Sequence, residues 1–252
     1  MNSVIKAIMK KDINAVIKNK QTLPALLIVP VMFGILLPGV FTIGFMSDYS
    51  SAEELASVIN SFVNFLLLIP VMIASMTCAE AIAGEREKKT IETLLYSPVH
   101  IRTIFTAKVL GAFVPALAMG IVFGIASMLI VNIPSVTVFG EWAVAPERYI
   151  VIFVLLMPAL ALLSVDLMIY ASAKAKSMNA ASQWSLLLVF PIIFISSILM
   201  EIDIVASILI GAVLIAVGII FVFRVFGLFT RPVLLEGVKK ESKQRMTLTR
   251  RF

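Results

Sequence analysis

The segment LPALLIVPVMFGILLPGVFTIGFM, residues 23–46, contains 24 consecutive residues without a charge. About 20 apolar residues in a helix are enough to cross a hydrocarbon core of roughly 30 Å. A cleavable signal peptide has a shorter apolar core, of about 7–15 residues, and then a small-residue cleavage site. The segment therefore predicts a retained membrane span.

The rest of the chain has the same apolar character. Of its 252 residues, 60% are hydrophobic and 14% are charged, and the mean hydropathy is +1.04. A soluble domain is nearer one half apolar and one quarter charged. We therefore predict an all-α integral membrane protein with six transmembrane helices. The predicted spans are residues 23–46, 58–83, 109–131, 149–172, 183–200 and 204–227.

The spacing of these spans predicts the loops and three regions. Spans five and six form a tight hairpin, and the larger outer loop is 132–148. Residues 1–22 form an amphipathic helix, with apolar side chains at helical spacing and the lysines and Asp12 on its polar side. We expect this helix to lie in the inner membrane interface. A six-helix transmembrane domain, 23–227, and a basic cytoplasmic tail, 228–252, follow.

The distribution of lysine and arginine predicts the orientation. With the N-terminus inside, the cytoplasmic segments hold 20 of the 21 Lys and Arg residues, and the outer loops hold only Arg148. The bias of positive residues toward the inner side sets the orientation of most membrane proteins. We expect a multi-pass protein of the cell membrane with both termini in the cytoplasm. The net charge of +6 then needs no nucleic acid to explain it.

The chain lacks the usual signatures of catalysis and metal binding. Its single cysteine, Cys78, and single histidine, His100, cannot form the clusters that hold zinc. The stretch GEREKKT at 84–90 lacks the second glycine of a phosphate-binding loop. We therefore expect no enzyme activity, no cofactor and no metal in this chain.

Two carboxylates, Glu80 and Asp166, lie inside predicted spans. An ionisable group in a membrane is costly and indicates function by default. Both lie near the predicted cytoplasmic ends, where pairing with a nearby Arg or Lys is the competing interpretation. Asp166 and Tyr170 are four residues apart and so share a helix face.

The charge-dense stretch GEREKKTIETLLYSPV, residues 84–99, separates the second and third spans. Ile91, Leu94, Leu95 and Pro98 recur at i, i+3, i+4 and i+7, and charged residues take most other positions. The pattern predicts a short amphipathic helix over about 84–97, ended by Ser97-Pro98. Such a helix either docks on another protein or lies in the interface.

This stretch resembles the cytoplasmic motif of ABC-2 type transporter permeases, in which an acid near the end of the second span is followed by G-E-R-E-K-x-T-x-E-x-L-L-x-S-P-V. Glu80 is the acid in this chain. The matching motif positions are Gly84, Glu85, Arg86, Glu87, Lys88, Thr90, Glu92, Leu94, Leu95, Ser97, Pro98 and Val99.

The resemblance implies a permease subunit that pairs with a second permease copy, as a homodimer or a heterodimer, and with two cytoplasmic ATPase subunits. ATP and Mg would bind to the ATPases. The stretch from Gly84 to Pro98, Ile91 included, would form a coupling helix on the ATPase, and the N-terminal helix would lie at the same interface. Export is the commoner direction in the family. Unless part of residues 190–200 re-enters the membrane without crossing it, the short 201–203 connection disfavours a polysaccharide and favours a drug, peptide or other small molecule, or an ion.

Two other functions are compatible with the residues alone. One is a stand-alone transporter that uses an ion gradient through Glu80 and Asp166. The other is a membrane scaffold or sensor. Secondary transporters usually show internal repeats and broken helices near the midplane. This sequence shows no internal repeat, and Glu80 and Asp166 do not lie near the predicted midplane.

Overall fold

Helices dominate the structure, a computed structural model that describes residues 2–20, 22–85, 99–144, 146–174, 191 and 204–228. These residues include no strand. Helix α1 is Asn2–Lys18, and α2 covers 22–44. Helix α3 covers 52–84, α4 is Ile101–Phe139, α5 covers 146–174, and α6 is Ile204–Leu228.

Four of these helices are long and apolar enough to cross a membrane. Their apolar stretches are Leu26–Gly44, Ala52–Ile82, Arg102–Phe139 and Tyr149–Ile169. They correspond to the first four predicted spans. Helix α6 covers the sixth predicted span and contains a shorter apolar stretch, Gly211–Arg224. The predicted fifth span, 183–200, lies outside the described residues except for Pro191.

The helix boundaries differ from those predicted by hydropathy. Helix α3 begins at Ala52, six residues before the expected start, and α4 extends beyond the predicted 109–131 at both ends. Helix α4 begins at Ile101 because His100 caps it: Nδ1 of His100 accepts a hydrogen bond from the backbone N–H of Arg102 at 3.2 Å. Lys108 therefore lies two turns inside a helix.

The prediction of a large outer loop at 132–148 is wrong. Asn132 and Ser135 are buried in the last turns of α4, and each bonds to the chain that follows. The Asn132 side chain accepts the N–H of Val144 at 3.1 Å, and Ser135 donates to the carbonyl of Glu141 at 2.8 Å. The helix ends at Gly140, whose φ of 78° is the left-handed conformation common after a helix.

Two spans contain a π-helical segment just before a proline. Met32–Leu36 precedes Pro38, and Ile152–Leu156 precedes Pro158. Each segment includes the residue four positions before the proline. Proline has no N–H to donate to the carbonyl of that residue, and in a regular α-helix the proline ring would clash with it. Pro115, in contrast, lies within the unbroken α-helix α4.

The core of the bundle lies between α3, α4 and α5. Helix α3 packs against both of the other two, and its apolar stretch is the most buried of the four. Helix α2 crosses α4 closely at Gly34, where a Cβ would lie 2.8 Å from Cβ of Phe123. Small residues allow this approach between membrane helices. Exposed apolar side chains cover α2, α4 and α6, as expected for surfaces in lipid.

Candidate functional site

A cluster of charged side chains lies at the end of the bundle where α1 packs. It consists of Lys11 and Asp12 on α1, Glu85 just after the last turn of α3, and Lys108 on α4, and we call it the Lys108 cluster. The 86–98 stretch, which holds most of the resemblance motif, follows Glu85 directly in the chain. The cluster therefore lies where that stretch leaves the membrane helices.

The position of Asp12 corrects the predicted amphipathic pattern of α1. Asp12 was expected on the polar side with the lysines, but it is buried, as is Val16 one turn later. Helix α1 packs along the first part of α4 rather than standing apart from the bundle. The side of α1 that contains Asp12 thus packs against α4, where the buried cation of Lys108 pairs with the Asp12 carboxylate.

Lys108 is at the centre of the cluster. Its ammonium donates to the Ala81 carbonyl at 2.5 Å and to Oε2 of Glu85 at 2.8 Å, and it lies 3.6 Å from Oδ2 of Asp12. All three charged side chains are less than one tenth exposed. Of the three N–H donors of a lysine ammonium, two therefore bond to Ala81 and Glu85, and Asp12 lies at ion-pair distance.

Glu85 is held by two lysines. Its second carboxylate oxygen, Oε1, accepts from Lys11 at 2.6 Å. Burial alone would raise the pKa of Glu85, but Lys108 and then Lys11 favour the charged form more strongly, so the pKa lies below its ordinary range. Glu85 is therefore firmly ionised in the cluster.

Asp12 is held more loosely than Glu85. Its Oδ2 atom accepts no hydrogen bond from a described residue and has only the 3.6 Å ion pair with Lys108. Burial raises the pKa of Asp12, and the attraction of Lys108 only partly offsets this effect. The two acids that share Lys108 are therefore perturbed in opposite directions.

Glu80 lies one turn before the cluster and joins α3 to the end of α1. Its Oε2 atom accepts from the side-chain amide of Asn19 at 3.1 Å. A Cβ at Gly84 would lie 3.4 Å from the Glu80 carboxylate, so the glycine leaves room for it. Glu80, an acid near the end of a span, thus also connects α3 to the residue that follows α1.

Asp166 has a different environment. It is fully buried in α5, and neither carboxylate oxygen has a hydrogen-bond partner among the described residues. Cys78 of α3 packs near it, with Sγ 3.9 Å from the carbonyl of Val165. Tyr170 lies one turn later in the same helix, as its spacing predicted. The structure does not bring Asp166 into the Lys108 cluster.

Most residues of the predicted coupling helix lie outside the described residues. Only Gly84 and Glu85 of that set are described. Those outside are Arg86, Glu87, Lys88, Thr90, Ile91, Glu92, Leu94, Leu95, Ser97 and Pro98.

Sequence reasoning missed the central role of Lys108. It treated Lys108 as a loop cation, because the third span was predicted to begin at the next residue, Val109. A signal was present, since a lone lysine beside an apolar run calls for a buried partner.

In the described part of the chain, no group of three or more His, Cys, Asp or Glu residues could hold a metal ion. The cluster can join helices electrostatically.

Comparison with protein families identifies the class. The model of the ABC-2 type transporter family matches residues 3–215, which include α1, the Lys108 cluster and Asp166. A search of curated proteins returned no match. The chain is a membrane protein and belongs to the ABC-2 type transporter family, which confirms the resemblance seen in 84–99.

Proposed function

We propose that this chain is the permease subunit of an ATP-binding cassette transporter, driven by a separate ATPase. The observation that carries the proposal is the family match over residues 3–215, which includes the charged stretch that follows α3. The chain contains no phosphate-binding loop, so the energy must come from a partner. Members of this family generally work with such ATPases.

The orientation follows from the charge distribution. With 20 of 21 Lys and Arg residues on one predicted side, the α1 end of the bundle and both termini face the cytoplasm. The 84–98 stretch, which begins at the Lys108 cluster, then meets the ATPase, which binds ATP and Mg. Two permease copies and two ATPases complete the transporter.

The cargo is a small molecule, drug, peptide or ion that is exported between the two permease bundles. The connection between the predicted fifth and sixth spans, 201–203, is too short for a long outer re-entrant segment. A compact cargo fits this feature better than a polysaccharide.

Replacement of the apolar anchors of the 84–98 stretch tests the proposal. We expect the double variant Leu94→Asp, Leu95→Asp to lose co-purification with the ATPase, because charges replace the apolar centre of a small interface. The double variant Leu94→Met, Leu95→Met keeps the apolar volume and should retain the ATPase. Equal retention of the ATPase by both variants would contradict the coupling role.

Asp166 favours a second candidate, a transporter coupled to an ion gradient. A buried acid with no hydrogen-bond partner among the described residues is the feature such a transporter needs. The test uses proteoliposomes that contain this chain alone, an imposed pH gradient and an internal pH-sensitive dye. Proton uptake that disappears in Asp166→Asn would support this candidate. Absence of uptake by the unmodified chain would reject it.

A further inference from the structure

The Lys108 cluster joins three helices through one buried cation. We propose that Lys108 is a positioning residue of the transport cycle, which ties the turn that precedes the 86–98 stretch to α1. Movement of that stretch by the ATPase would then move α1 and α4 together with α3. This inference rests on the function proposed above.

The oxygens around Lys108 come from two different helices. Ala81, in the last turns of α3, and Glu85, just after them, lie 2.5 and 2.8 Å from the ammonium, whereas Asp12 belongs to α1. The ammonium itself is on α4. Two hydrogen bonds therefore tie Lys108 to the end of α3, and the ion pair ties it to α1. Removal of Lys108 takes the shared cation away from both carboxylates.

Helix α1 is attached mainly to α4. The two helices approach closely at Gly111, where a Cβ would lie 3.7 Å from Cα of Met9. Contacts of α1 with α3 are far fewer and are concentrated near Ala79–Gly84. Although α3 also packs against α4 along the core of the bundle, its direct contact with α1 is therefore concentrated at the end of α3 that holds Ala81 and Glu85.

Among the described residues of the cluster, Lys108 forms buried ion pairs and Lys11 forms an exposed one. The Lys11 side chain is 56% exposed, compared with 7% for Lys108. Exposed ion pairs are weak because water screens them. A buried ion pair resists separation, because each charge would be left unpaired in a poorly solvated site. Glu85 therefore cannot move away from α4 without moving Lys108.

Hydrogen exchange of the complete transporter tests the inference. The full-length permease with its ATPase, in lipid nanodiscs, is compared with and without a non-hydrolysable ATP analogue. We expect the analogue to change amide exchange in both 84–98 and α1, by about 5-fold or more at α1, the lower end of typical coupling between sites. In Lys108→Met the change should remain in 84–98 and be largely lost from α1.

Two single variants separate positioning from simple stability. Lys11→Met removes the exposed cation and should leave the response of α1 unchanged. Lys108→Arg keeps a cation within reach of the same oxygens and should retain most of the response. Loss of the response in Lys108→Arg, in a complex that still binds the analogue, would overturn the inference.

A neutralised variant covers the case in which Lys108→Met does not fold. The triple variant Asp12→Asn, Glu85→Gln, Lys108→Met leaves no buried charge unpaired in the cluster, so it should fold and yet lose the response at α1. A response of α1 that persists in the triple variant, or that is absent from the unmodified complex, would overturn the inference. Failure of the unmodified permease to bind any ATPase would instead refute the proposed function.

Discussion

The Lys108 cluster and Asp166 are two buried ionisable regions of the same bundle with opposite surroundings. In the cluster, Glu85 has two lysine partners and Lys108 has three nearby oxygens. Asp166 is equally buried, but its oxygens accept no hydrogen bond from a described residue. Both regions belong to helices that are apolar over most of their length.

The difference shows that a buried charge can have two origins in a membrane protein. Paired charges join helices, and the loss of one partner leaves the other charge unsatisfied. A carboxyl group without a partner costs free energy and contributes no contact that offsets this cost. Its presence is then better explained by activity than by stability, as the second candidate function assumes.

The largest effect is expected from Lys108→Met. This change leaves Asp12 and Glu85 buried without their shared cation and should lower the free energy of unfolding by about 3–5 kcal/mol. The matched change Lys11→Met removes an exposed cation and should cost less than about 1 kcal/mol. Denaturant midpoints of the two purified variants measure the difference. Equal losses would show that burial of Lys108 has no energetic consequence.

A change of the opposite sign is expected at Asp166. Asp166→Asn keeps the side-chain volume and a polar group without a described partner, but removes the carboxyl that can ionise, so the free energy of unfolding should rise by up to about 1 kcal/mol. The control is Ser164→Ala, which removes a hydroxyl that donates to the Ala161 carbonyl at 2.8 Å. It should cost about 1 kcal/mol. If Asp166→Asn is destabilising instead, the carboxyl group has a partner and the contrast with the Lys108 cluster fails.

The smallest effects concern pH and distinguish the two acids of the cluster. The pKa of Glu85 is lowered, so its stabilising contribution is present above the unfolded-state pKa of about 4.3 and is lost as pH falls through the folded-state pKa. The pKa of Asp12 is raised. Its contribution is therefore full below the unfolded-state pKa of about 3.9 and is lost as pH rises through the folded-state pKa.

Unfolding measured between pH 3 and 7 checks these opposite signs. At pH 7, Glu85→Gln should be destabilising by about 1 kcal/mol, with the loss shrinking as the pH falls. Asp12→Asn should be neutral or slightly stabilising at pH 7 and should become relatively less favourable in acid. Parallel pH profiles for the two variants would contradict the opposite perturbation of their pKa values.

Much of the fold was predictable from residues 23–46 and the similar runs that follow. Their length and lack of charge predict membrane helices, and four of the described helices meet that expectation. Helix ends were less predictable. Hydropathy treats Asn132 and Ser135 as loop residues, whereas the folded chain satisfies their polar atoms within α4 and the turn after it.

The place of the candidate site along the sequence was predictable, but the residues that form it were not. The 84–99 motif indicated the family, and two of its residues, Gly84 and Glu85, lie beside and within the Lys108 cluster. Lys108 and Asp12 were assigned to a loop and to a polar helix face. Hydropathy is averaged over a window of residues. It therefore cannot detect that one charged side chain in an apolar helix forms a buried ion pair with another helix.

The sequence by itself determined that this protein is a helical membrane protein of the ABC-2 type transporter family, because apolar run length and a local motif require no knowledge of neighbours. Only the tertiary structure decided which charges are paired among the described residues, and that Asp166 has no hydrogen-bond partner among them. In a span surrounded by lipid and protein, both helix faces are apolar, so helical periodicity carries little information about which face meets another helix. The partners of Lys108 are set by packing between α1, α3 and α4.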